Sequence, residues 1–113
     1  MSTYTPDSWV IVKIQSEKYG TIYKVLAGSS GSHLYGASWK LSSGIVTFED
    51  KGLYYESLQD SGSTYFLHKS SERMSAIMAS TFASFEEQFK GINGTIEVIG
   101  SGDYMNSNKG ANE

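Results

Sequence analysis

Apolar positions follow a period of two along most of the chain and switch to a helical period once. In "WVIVKI" (9–14), Val10, Val12 and Ile14 share one face, while Trp9 and Ile11 start the other before Lys13 turns polar. This alternation predicts a strand. "QSEKYG" predicts a turn, and "TIYKVLA" a returning strand in which Ile22, Lys24 and Leu26 alternate with Tyr23, Val25 and Ala27. Lys24 between two apolar neighbours predicts that its face is only partly buried. "GSSGSHLYG" interrupts the pattern, and "ASWKL" then predicts a short strand with Trp39 and Leu41 on one side and Lys40 on the other. "SSG" breaks or bulges the chain before "IVTFE". "LYYESLQ" follows as a strand after the turn "EDKG", where Gly52 supplies positive φ, and "DSGS" turns again into the strand "TYFLH".

The helical period runs from about Ser75 to Lys90. Met74, Ile77, Met78, Phe82, Phe85 and Phe89 form one stripe. Ser70, Ser71 and Ser75 are candidate N-caps, Glu72 favours the positive end of the helix dipole, and Gly91 is the expected stop. "TIEVIG" predicts a last strand, with Ile96 and Val98 on one face. "SGDYMNSNKGANE" is polar and rich in glycine and asparagine, which predicts a flexible tail. The expected organisation is a single β-barrel domain over 1–100 and a flexible polar tail over 101–113. The fold class is mainly β: a small, strongly bent antiparallel sheet or barrel with one amphipathic helix near the C-terminus. Short strands at near-regular spacing lead there, and closure or pairing with a neighbouring subunit would protect the strand edges.

Composition narrows the chemistry. The 113 residues include eight Tyr, five Phe and two Trp, an aromatic load suited to pleated surfaces, and no cysteine. Disulfides and thiolate metal sites are therefore excluded. "MSTYTPDSWVIVKI" lacks a basic leader and its apolar run is too short for a membrane span, so a cytosolic location is expected. Asn93-Gly94-Thr95 matches a glycosylation acceptor but reads as a turn. Nine basic and twelve acidic residues give a net charge of −3 without a basic run. That balance argues against tight, autonomous binding of phosphate backbones by a monomer, although a local patch is compatible with it.

"GSHLYGAS" (31–38) comes within one residue of a phosphate loop, with alanine where the lysine belongs. A phosphate loop must open a helix, and here strand-like residues follow, so the segment reads as a loop between strands. His33 and His68 are the only histidines, and neither sits in a triad or zinc-ligand spacing. Glu49-Asp50 and Glu86-Glu87 do not resemble an acid–base dyad. No catalytic residue, metal ligand or cofactor is expected, and the chain is not read as an enzyme. What remains is aromatic and basic interleaving: Lys24 beside Tyr23, then His33, Tyr35, Trp39, Lys40, Lys69 beside His68, and Arg73. Small barrels hold single-stranded nucleic acid by stacking bases on aromatics beside a few cations. The same residues equally suit a barrel core with snorkelling rims.

"YTPDSWVIVKI", "YKVLAG", "SWKLSSGI" and "MASTFASFEEQF", followed by "GTIEVIG", resemble a family of small Sm-like proteins of cyanophage and marine-metagenome origin. The likeness spans roughly Tyr4 to Gly100. It implies an SH3-type barrel, a homo-oligomeric ring joined through strand edges, and binding of RNA or single-stranded DNA. It also implies a phage-encoded protein located in the infected bacterial host or the virion, without a membrane partner. Sm proteins read RNA with an aspartate and asparagine in one loop and an arginine-glycine in another; "VTFED" and "VIGSG" supply neither. No binding residue is carried over from the family. The alternative expectation is a phage structural or host-interaction protein that binds another protein.

Overall fold

The computed structural model describes residues 2–32 and 36–111, with side chains described through 29 and from 38 to 106. Eight strands form two four-stranded sheets. The first has the order β1 (Thr3–Tyr4), β7 (Thr64–His68), β6 (Tyr54–Leu58), β5 (Glu49–Asp50). The second has the order β4 (Gly36–Leu41), β3 (Gly20–Ser32), β2 (Ser8–Ser16), β8 (Gly94–Ile99). The mainly β class stands, but the sheets do not close into a barrel. Two isolated bridges lie outside these pairings: Ile45 to Gln59, and Trp9 of β2 to Glu72. One pairing also departs from the expected antiparallel pattern, because β1 runs parallel to β7.

Strand β2 is buried on both faces, as its two apolar rows require. Val10, Val12 and Ile14 join Leu26 and Ile96 beneath the helix α1 (Ala76–Lys90). Trp9 and Ile11 point the other way, with Val25 and Ala27, onto Tyr55, Tyr65 and Leu67 of the first sheet. The molecule is thus three layers deep: helix, sheet, sheet. The Trp9 indole N–H donates to the His68 carbonyl at 2.7 Å, so the largest buried side chain satisfies its one polar group across the sheet–sheet interface. Arg73 N–H bonds the Trp9 carbonyl at 3.0 Å and brings the chain from β7 back along β2.

Helix α1 starts where the sequence places it. The Ser75 hydroxyl accepts the Met78 N–H, while the Met78 sulfur takes the Ser75 N–H and the buried Ser8 hydroxyl. Strand β3 runs five residues past the expected end at Ala27, pairing with β4 at Ser29 and Ser32, and at Gly28 a Cβ would lie 2.6 Å from the Met78 sulfur. A side chain at 28 would hold the helix off the sheet. Asn93 rather than Gly91 takes positive φ (56°) and turns the chain into β8.

The segment expected as a flexible polar tail is instead a second helix from its first residue, α2 (Ser101–Ala111). Its composition is poor for helix formation, so the cause is tertiary. The Glu72 carboxylate accepts the Ser101 N–H at 2.8 Å and the Ser101 hydroxyl at 2.6 Å, capping the helix from a distant loop. Tyr104, buried, sets its ring edge-on to Tyr23 at 5.0 Å and Phe48 at 5.1 Å. A distant carboxylate and one aromatic thus order a polar segment.

Two substitutions test this packing. Gly28→Ala should lower stability by about 1–3 kcal/mol through overpacking against Met78, read as a reduced denaturation midpoint with unchanged m-value. Glu72→Ala should accelerate hydrogen exchange at Tyr104 by roughly fivefold, the loss of a cap worth about 1 kcal/mol, while amides in β2 stay protected.

Candidate nucleic-acid interface

The candidate residues fall into separate places, and register decides which. Lys24 lies opposite Val12 and Trp39 opposite Gly28, both on the side of the second sheet that α1 covers. Lys40, next along β4, faces away and sets its ammonium 4.9 Å from the Tyr4 ring centre. Lys69, in a single 3-10 turn (Lys69–Ser71), is bound to Asp50 at 2.9 Å and lies over Tyr55. The guanidinium of Arg73 donates to the carbonyls of Ser70 and Asp7. His33 and Tyr35 lie outside the described residues. Lys24, Lys40 and Lys69 therefore do not converge on one face.

Lys24 and Trp39 do share a surface, the flank of α1 that overlooks β3 and β4. Only Met78 of α1 is buried, so the rest of its aromatic stripe is half-covered and reachable from this flank. Trp39, 45% exposed at an edge strand, meets Phe85 edge-on with ring centres 5.5 Å apart. Such a contact contributes about 0.5–1.5 kcal/mol beyond area burial and helps fix the half-exposed indole. Phe89 follows Phe85 by one turn. There it lines a groove of about 190 Å³ with Ile14, Tyr19, Ile22, Lys24 and Ile92. Tyr19 and Ile92, 67% and 62% exposed, form the rim. The Lys18 ammonium sits 5.3 Å from the Tyr19 ring centre. Among the described residues no carboxylate pairs with Lys18 or Lys24.

This arrangement can stack planar rings on Trp39, Phe89 and Tyr19 and attract an anion to Lys18 and Lys24. Sequence reading finds Lys24 and Trp39 but misses the groove. Tyr19 reads as a turn residue and Phe89 as core, and only the hairpin's reach past the helix end makes them neighbours. Among the described residues no three His, Asp or Glu side chains gather as metal ligands.

Lys69 is already engaged. Its ammonium holds the Asp50 carboxyl below the ordinary carboxylate value, helped by the Gly52 N–H, and Asp50 in turn raises the Lys69 pKa. A carboxyl depressed on folding contributes stability above its unfolded pKa, and that contribution is lost as pH falls through the folded value. Asp50→Asn should therefore lower stability slightly at neutral pH, where the carboxylate's contribution is fully present, and flatten the curve below about pH 4, where unfolded aspartate titrates, so that variant and wild type converge at low pH. Urea titrations from pH 2 to 7 check this. In comparisons with known proteins, no family model, curated protein or solved structure matches the chain.

Proposed function

We propose that the protein is a non-catalytic, Sm-like oligomeric module that binds single-stranded RNA or DNA weakly along the α1 flank. The observation that carries the reading is Lys24, unpaired, inside an apolar groove lined by Tyr19 and Phe89, one helical turn from the Trp39–Phe85 contact. Base stacking on aromatics beside a few cations is sequence-tolerant and needs no Sm-type reading pocket. The Sm-like, SH3-type architecture draws support from the mainly β build of two small sheets and from the bridge between Ile45 and Gln59. Assembly through strand edges is supported by β4 and β8, the border strands of the second sheet. In a ring each weak site recurs, and linked sites compensate by avidity for an acidic monomer. A phage-encoded protein acting in the infected host cytoplasm, or carried in the virion, fits this reading. No described helix is long and apolar enough to cross a membrane. A second reading, docking to a phage or host protein, is favoured by a different surface described below.

Fluorescence anisotropy with labelled single-stranded RNA and DNA, across a salt series, tests the proposal on the intact protein. Binding should weaken with salt. Trp39→Ala should lose about 5- to 100-fold in affinity, from roughly 1–3 kcal/mol per stacked base. Lys24→Gln should reduce the salt slope by about one. Absence of salt-dependent binding would overturn the reading.

A further inference from the structure

The first sheet buries only one of its faces. Tyr55, Ser57, Tyr65 and Leu67 point into the core, and the alternating residues of β6 and β7 point out. Register places Tyr54 opposite His68 and Glu56 opposite Phe66 on that outer side. The rings meet, Tyr54 lying 5.9 Å from Phe66 and 5.6 Å from His68 between centres. The third strand adds Glu49 directly opposite Glu56. Like charges facing each other across an antiparallel pair destabilise the sheet. Lys51 binds Glu49 at 3.0 Å, and its charge also reaches Glu56, so one ammonium stands against two carboxylates. Among the described residues Glu56 has no ion pair of its own.

We propose that this outer face is a docking surface for an arginine-bearing segment of another protein, its guanidinium lying on Tyr54 and Phe66 and pairing with Glu56. Charge and shape select that partner. A guanidinium is planar, stacks on aromatic faces and pairs with a carboxylate through two parallel N–H donors. It would give Glu56 a direct partner where now only the Lys51 ammonium, bound to Glu49, acts on both carboxylates, and would relieve the Glu49–Glu56 repulsion. A purely apolar segment would desolvate Glu56 without a partner, which is unfavourable. A phosphate backbone would meet two carboxylates. The face is therefore distinct in location and charge preference from the α1 flank, and stands independently of nucleic-acid binding.

Full-length protein and labelled synthetic peptides of one length test this: one alternating arginine with serine, one with citrulline in place of arginine, and one with glutamate. The arginine peptide should bind at least tenfold more tightly than either control. Glu56→Gln should weaken it about fivefold or more, and Phe66→Thr similarly, whereas Glu97→Gln, on an exposed position of β8, should leave it unchanged. Should Phe66→Thr fail to fold, Glu56→Gln at a solvent-facing site decides alone. Equal binding of the citrulline peptide, no binding of the arginine peptide, or equal losses from Glu56→Gln and Glu97→Gln would overturn the proposal.

Discussion

The whole arrangement depends on one strand being buried from both sides. In β2, Trp9 and Ile11 face one core while Val10, Val12 and Ile14 face the other, so the second sheet serves as a shared wall. Alternation by two makes this possible only because both rows are apolar. Trp9 also anchors the sheets to each other through its bond to the His68 carbonyl, and the chain leaving β7 returns through Arg73 to the Trp9 carbonyl. A register slip of one residue in β2 would place a tryptophan under α1, where Gly28 and Met78 leave no space.

A three-layer build leaves two large outer surfaces, and their chemistry diverges. The α1 flank exposes aromatic rings with Lys18 and Lys24, which among the described residues have no carboxylate partner. The outer side of the first sheet exposes aromatic rings with carboxylates in excess. A net charge of −3 averages over both, which is why composition alone argues against nucleic-acid binding while a local surface supports it. Lys40 and Lys69 do not add to the α1 flank, because one rests on Tyr4 and the other is bound by Asp50. Their contribution is to cover aromatic rings near the sheet borders.

Patterns with a local cause are legible in the chain. The β2–β3 hairpin, the stripe of α1, the Ser75 cap and the positive φ at Gly52 all follow from residues close in sequence. Features with a distant cause are not. Helix α2 depends on Glu72 and on an aromatic cluster assembled from β3, β6 and the chain before β5, so its polar sequence alone reads as a tail. The close seating of α1 on β3 depends on Gly28 facing Met78, a contact between residues fifty positions apart. The groove behaves likewise: Lys24 is visible as an interruption in an apolar row, but Tyr19, Phe89 and Ile92 become its neighbours only through tertiary packing. Single residues of the candidate site were thus readable, and their convergence was not.

The central claim is that nucleic acid, if bound, meets the α1 flank and avoids the acidic sheet. Amide and side-chain chemical-shift mapping of the intact protein during titration with a short single-stranded oligonucleotide addresses it directly. The account predicts perturbations concentrated at Tyr19, Lys24, Trp39, Phe85 and Phe89, with Tyr54, Glu56 and Phe66 unmoved. Perturbations centred on β6 and β7, with the α1 flank silent, would contradict it.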